Sequence, residues 1–204
     1  MIRMMVLMAS LVVVTVLPAQ EQPGLTKAEK DEGFISLFDG KSLTGWKGAT
    51  KGYAAENGLL VCQKQGGGNL FTEKEFGDMV FRFEYKLEPG GNNGVSIRGH
   101  EIQILDDYAP QYAKLKDCQY HGSIYCKVPA KRGAPKKAGE WNTEEITVKG
   151  TRWTVKVNDK VVVDADIADV KGLEAVAKRK SGPLGFLGHG ARLEFRNLRV
   201  KELK

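Results

Sequence analysis

Between residues 79 and 88 the chain alternates without a break, with Phe81, Phe83, Tyr85 and Leu87 on one parity and Arg82, Glu84, Lys86 and Glu88 on the other. Successive side chains on a strand point to opposite faces, so this stretch fits a sheet with one face in a core and one toward water. A helix would scatter the same aromatics around its circumference. The pattern recurs in shorter pieces. Ile146 and Val148 continue it, and Trp153, Val155 and Val157 lead through Asn158-Asp159-Lys160 into an apolar run at 161–163, a hairpin. Residues 59–62 are entered through Asn57-Gly58, which favours a tight turn. An apolar stretch at 34–38 ends in Asp39-Gly40, and further strands are expected at 183–187 and 192–203. In the last, Leu193, Phe195, Leu198 and Val200 share a side only if the strand bulges near Arg196-Asn197. Helical periodicity is confined to 169–178. Many short strands with Gly and Pro turns predict an all-β sandwich or jelly roll.

The N-terminus reads differently. Arg3 precedes an apolar run that ends at Leu17, and Leu-Pro-Ala then leads to Gln20. This is the pattern of a secretory signal peptide over 1–19, cleaved near Ala19, and the run is too short for a comfortable membrane span. Residues 20–32 follow as a polar leader, and about 185 residues remain after cleavage, enough for one domain with a substantial core. The expected location is periplasmic or extracellular. The formal charge is +6, concentrated at 127–137 and 171–180, where no aromatics interleave with the lysines; a solvated surface rather than a nucleic-acid partner is expected. Cys62 falls in a strand, whereas Cys118 and Cys126 flank a short segment and could pair in an oxidising compartment.

The richest chemistry lies at 90–107, GGNNGVSIRGHEIQILDD. A strand at 95–98, a corner at Gly99-His100 and a second strand at 101–106 place Ile102 and Ile104 in a core, with Glu101, Gln103 and Leu105 on the other face. Arg98 stands across the corner. A carboxylate, an amide and a guanidinium on a rigid support suit acid/base work, although a half-exposed strand with a merely wet face has the same pattern.

Read in order, FISLFDGKSLTGW, ENGLLV, FRFEYKLEPGGNNGVSIRG, EIQILDD, AGEWNTEEITVKG, GPLGFLGHG and LEFRNLRVKEL resemble the 3-keto-disaccharide hydrolase domain family over nearly all of 33–203. The resemblance implies a concanavalin-like, two-sheet jelly roll similar to that of laminarinases. It implies cleavage of glycosides oxidised to a ketone at C3, by elimination across C1–C2 followed by hydration, and functional pairing with a sugar oxidoreductase that supplies the keto sugar.

That chemistry needs a base for the acidified C2 hydrogen, donors at the carbonyl oxygen and an acid for the departing C1 oxygen. The resemblance implies Glu101 and His189 as the proton-transfer residues and Arg98 as the cation at the C3 oxygen. Gln103, Asp106, Tyr125, Trp141 and Asn142 are expected to contact sugar, with His121 and Lys136 as further candidates. Each has a plainer reading: Arg98 in a surface ion pair, Asp106 as a turn cap, His189 as a loop residue, Trp141 as a core anchor, Asn142 fixing a turn. Laminarinase-like enzymes carry paired carboxylates on this strand; Gln103 replaces one here, and Asp106 has the opposite parity. The family also carries an Arg before the Gly-Pro pair and a Gln-Asp before the His, where this chain has Ser181 and Leu187-Gly188. No ligand run demands a metal, though sandwiches of this kind often hold Ca²⁺ and a divalent cation could stabilise an enediolate. The alternative function is a non-catalytic carbohydrate-binding module, since the same sandwich serves lectins.

Overall fold

A computed structural model describes residues 25–65 and 67–204; the expected signal peptide at 1–19 lies outside them. Two antiparallel sheets face one another. The five-stranded sheet runs β2 (Trp46–Gly48), β5 (Gly68–Phe76), β12 (Gly182–Gly188), β7 (Asn92–Ile97), β8 (His100–Leu105). The larger sheet runs β11 (Lys160–Asp166), β10 (Arg152–Val157), β9 (Asn142–Lys149), β6 (Met79–Leu87), β13 (Leu193–Glu202), β4 (Leu59–Cys62), β3 (Tyr53–Glu56), with β1 (Ile35–Ser36) also paired to β13. Two short helices accompany them, α1 (Lys27–Asp31) and α2 (Glu174–Ala177). No described helix is long and apolar enough to cross a membrane.

The alternation of 79–88 becomes β6, buried at every second residue. Its aromatics meet the other sheet through Phe186, which stacks on Phe195 at 4.0 Å between ring centroids and approaches Phe83 edge-on at 5.8 Å. Offset stacks and edge-to-face contacts of this kind add to the area that large rings bury. The turn chemistry also holds. Asn57 and Gly58 both have positive φ and join β3 to β4, and Asn158 and Asp159 do the same for β10 and β11. Asn197, at φ 52°, carries the bulge that shifts the β6–β13 register and returns Leu198 and Val200 to the core. The apolar stretch at 34–38 is shorter as a strand than expected: only Ile35 and Ser36 pair, while Phe34 and Phe38 are buried on either side.

The outer face of the larger sheet is a mesh of charge. Arg82 meets Glu145 at 2.6 Å, Lys86 meets Glu194 at 2.6 Å, Arg196 meets Glu84 at 2.8 Å, and α1 delivers Glu29 to Arg199 at 2.5 Å. Partly exposed pairs like the first three contribute about 0–1 kcal/mol each, so the face is held by their number.

Residues 106–141 form no strand of their own but cover the free edge of β8. The amide of Gln103 donates to Ser123, that of Gly122 to Gln103 and that of Tyr125 to Glu101, at 2.8–3.0 Å. An uncovered edge would be a template for association. Leu105, expected to face outward beside Glu101, is buried by this wrap, and His121 accepts its N–H at Nδ1. Cys118 and Cys126 lie on the same wrap as free thiols, drawn together by a 2.8 Å bond from the Cys126 N–H to the Cys118 carbonyl.

Candidate active site

β7 and β8 are joined by Arg98-Gly99, one residue earlier than the expected corner, with φ of 48° and 79° as a tight type I′ turn requires. Parity on β8 is unaffected: Ile102 and Ile104 enter the core and Glu101 faces out. Directly across β7 from Glu101 and Gln103 are Ser96 and Gly94. On β12, Gly185 follows beside Ser96, and on β5 Phe71 follows beside Gly185. The outward face of the small sheet thus presents Glu101, Ser96, Gly94, Gly185, Leu187, Asn69, Phe71 and Glu75, and a cleft of about 660 Å³ lies over it. That volume suits a ligand of one to a few sugar rings.

Two glycines shape the floor. A Cβ on Gly94 would run into the Glu101 carboxylate, and one on Gly185 into the Phe71 ring. Each side chain lies flat across a glycine that leaves room for it. Gln103 is buried behind Glu101; with its amide nitrogen turned to the acceptors it donates to Glu101 Oε1 at 3.1 Å and to the Asn93 carbonyl at 3.0 Å. It therefore orients the carboxylate, whereas the expected task was to hold sugar hydroxyls. His189, one residue past β12, brings Nε2 to 3.4 Å from Glu101 Oε1. Hydrogen bonding to Glu101 raises the imidazole above its ordinary value; partial burial pulls it back, and the carboxylate's charge pushes the same way as the bond. A carboxylate and an imidazole this close can hold and pass one proton between them.

The other expected residues divide sharply. Tyr125 lines the cleft next to Glu101, its hydroxyl accepting from Gln119 at 2.9 Å. Arg98 does not offer its guanidinium to the cleft: the group is 3 % exposed and donates to Asp78 at 2.8 Å and to the Gly150 carbonyl at 2.9 Å. The expected cation at the C3 oxygen is instead a tie between the two sheets. Asp106 is a turn cap, accepting the N–H groups of Gly90 (2.9 Å) and Tyr108 (3.2 Å). Trp141 lies on the far face of the larger sheet, with Arg196 4.0 Å and Lys86 5.1 Å from its ring centre, so it cannot stack on a sugar in this cleft. Asn142 is buried and joins the Lys136 N–H to the Asn158 amide, both at 2.7 Å, which is a turn-fixing role. Lys136 itself donates to the Trp141 carbonyl. His121 is sealed between Tyr85 (2.9 Å) and Glu144 (3.3 Å) inside the sandwich, away from the cleft.

Asn69, Phe71, Glu75, Ser96 and Arg179 line the cleft without having been expected there. Phe71 and Glu75 share a parity on β5, a signal that was available; Arg179 lies in an irregular loop and gave none. Arg179 brings a guanidinium to the cleft from two residues before Ser181, where the family resemblance led one to look for an Arg. Among the described residues no group of three or more His, Cys, Asp or Glu side chains could hold a metal ion.

Residues 33–201 match the family described as the 3-keto-alpha-glucoside-1,2-lyase-like domain. The chain belongs to this family. Among relatives of the lyase-like domain, a protein of Bacteroides thetaiotaomicron named 3-keto-disaccharide hydrolase is 26 % identical over 92 % of this chain and 84 % of its own length. A crystal structure of a candidate glycosyl hydrolase from Parabacteroides distasonis superposes with a TM-score of 0.77 at 24 % identity, covering 88 % of this chain and 98 % of the other. SCLam, a non-specific endo-beta-1,3(4)-glucanase from family GH16, superposes at 0.52 with 16 % identity over 90 % and 88 % of the two chains. The lyase-like domain is thus a two-sheet sandwich of the concanavalin and laminarinase type, as the sequence led one to expect.

Proposed function

We propose that this protein is an exported carbohydrate-active enzyme that cleaves 3-keto-glycosides by elimination across C1–C2 and rehydration, for net hydrolysis. The observation that carries the reading is the isolation of the Glu101–His189 pair. The other carboxylate lining the cleft is Glu75. It lies on β5, three strands from β8 and opposite Pro183 rather than Gly185, so at about 4.8 Å per strand the two backbones stand at least roughly 14 Å apart. Displacement at C1 by two carboxylates requires them about 5–10 Å apart across the bond. One carboxylate touching one imidazole is the apparatus of proton removal beside a carbonyl.

In the forward direction Glu101 takes the C2 hydrogen, made acidic by the C3 ketone, while the protonated His189 gives its proton to the departing C1 oxygen. The C2–H and C1–O bonds break, a C1=C2 double bond forms, and the alcohol leaves. Water then adds across the double bond by the reverse roles: a hydroxyl joins C1 and a proton returns to C2. Because acid and base sit side by side, both transfers fall on one face of the ring. Ser96 and Asn69 supply neutral donors on the floor for the enolate oxygen, and Phe71 and Tyr125 flank the ring. The names of the family and of the Bacteroides relative support the substrate class, and the signal-like segment at 1–19 supports export.

The test is turnover of a 3-keto-glucoside in D₂O beside its unoxidised parent. The keto substrate is expected to release its aglycone and to carry deuterium at C2 in the sugar product, and the parent to be inert. Aglycone release with no label at C2 would overturn elimination. Saturable sugar binding with no release would favour the binding-module reading.

A further inference from the structure

We propose that Cys118 and Cys126 are a disulfide site: they join by exchange with an external disulfide, and the bond locks the segment that covers the edge of β8. The bond is independent of what the cleft cleaves, and it uses neither Glu101 nor His189.

Both cysteines stand at the base of one short loop. Cys118 is the middle residue of a single 3₁₀ turn at Asp117–Gln119. Cys126 is at the apex of a chain reversal in which Ile124 and Val128 exchange backbone bonds at 2.9 and 3.0 Å. Its φ is 56°, in the left-handed region that a non-glycine residue seldom takes, and its N–H donates to the Cys118 carbonyl at 2.8 Å. Beside that bond Gln119 Nε2 donates to the Tyr125 hydroxyl at 2.9 Å. Residues bonded backbone to backbone in this way have Cα atoms about 5.5 Å apart, and a disulfide spans about 4.4–6.8 Å. The two thiols face each other closely enough to share a hydrogen bond. Burial pushes the Cys118 thiol up, and the charge of Cys126 and the bond to it push the same way.

Exposure sets the order of events. Cys126 is exposed and Cys118 half-buried, so the Cys126 thiolate attacks the incoming disulfide first and expels one thiolate. The mixed disulfide carries no charge at Cys126, which lifts the repulsion that keeps the proton on Cys118. The Cys118 thiolate then attacks the Cys126 sulfur and expels the second thiolate. Two protein thiols are oxidised, one external disulfide is reduced, and the two protons pass to the thiols released. Cys62, sealed in β4, takes no part.

The residues between the two cysteines give the bond its use. Gly122, Ser123 and Tyr125 carry the backbone bonds to Gln103 and Glu101 that close the edge of β8, and Ile124 is buried in the core. Tyr125 also lines the cleft. A covalent tie from 118 to 126 restricts both the unfolded chain and any local opening of this segment. The signal-like segment at 1–19 supports delivery to a compartment in which such bonds persist.

The experiment equilibrates the reduced full-length protein with excess oxidised glutathione, alkylates it in denaturant and weighs it. Of its 3 cysteines, only Cys62 is expected to be alkylated, with no glutathione retained and a peptide map joining 118 to 126. Alkylation of all of them, a persistent glutathione adduct or a disulfide-linked dimer would overturn the site. The oxidised form is expected to melt about 5–10 °C above the reduced one. Cys118→Ser and Cys126→Ser are expected to match reduced wild type and to gain nothing from the oxidant; an oxidised wild type no more stable than the reduced one would overturn the lock. A further measurement needs no variant: hydrogen exchange at the Gln103, Gly122 and Tyr125 amides is expected to slow about tenfold on oxidation. Exchange that is the same in both states would take the bond's effect away from the wrap.

Discussion

His189 Nε2 lies 3.4 Å from Glu101 Oε1, although the two residues come from strands that are not neighbours in sequence. Strand β12 docks beside β7 and delivers His189 over the β7–β8 hairpin, so the pair exists only when the small sheet is assembled. The carboxylate is held on its other side by Gln103. Glu101→Gln removes the base while keeping size and shape. Its kcat/KM is expected to fall by about 10²–10⁴, with the melting temperature nearly unchanged. A loss below tenfold would remove Glu101 from the chemistry.

The titration of His189 follows from the same contact. Its pKa is raised above the ordinary imidazole value, mainly by the bond to Glu101. NMR titration of the ring is expected to show this in wild type and a drop in Glu101→Gln. The sign for activity is that His189 must start protonated, so kcat/KM is present below its folded pKa and declines as pH rises through it. The contribution to stability has the same sense: complete below the unfolded value near 6.5, lost as pH rises past the folded one. A wild-type ring that titrates below the free imidazole would contradict the arrangement.

Gly94→Ala tests the floor. The added Cβ falls on the Glu101 carboxylate and on nothing structural nearer than it, and Gly94 is not at positive φ. The expected result is a fall in kcat of about a hundredfold from a misplaced base, with little loss of stability. If stability falls and kcat holds, the carboxylate has another resting place during the reaction.

Asp78→Asn tests the assignment of Arg98 to structure. The guanidinium is buried, but the Asp78 side chain is 37 % exposed, so the expected cost is about 1–3 kcal/mol, below that of a fully buried pair. Burial raises the Asp78 pKa, and the Gly150 N–H and Arg98 together outweigh it and lower the pKa overall. The stabilisation is therefore present above the ordinary carboxylate value near 3.9 and is lost as pH falls through the lower folded value. Urea unfolding at pH 7 and pH 3 measures both; kcat is expected to hold. A variant as stable as wild type but inactive would return Arg98 to the site.

Much of the architecture was legible because it is local. The alternation of β6, the Asn57-Gly58 and Asn158-Asp159 turns and the bulge at Asn197 each depend on a few adjacent residues whose backbone preferences are strong. Motifs singled out Glu101 and His189, which the structure brings to 3.4 Å of one another. The place of Arg98 was not legible, because its partners, Asp78 just before β6 and Gly150 just after β9, are brought to it only by folding. Trp141 and Asn142 misled because an aromatic and an amide look alike on paper whichever sheet they join, and theirs is the wrong one. Arg179 was missed because only the packing of its loop onto Gly99 places it in the cleft.

The position of β13 has a consequence for how the molecule comes into being. It lies between β6 on one side and β4 and β1 on the other, yet it is synthesised after all three. Until residues 193–202 have arrived, the larger sheet has a gap in its middle and Phe186 lacks the ring it stacks on. The nascent polypeptide thus stays open through its middle until β13 has been made, and no earlier stretch of the larger sheet can close on its own.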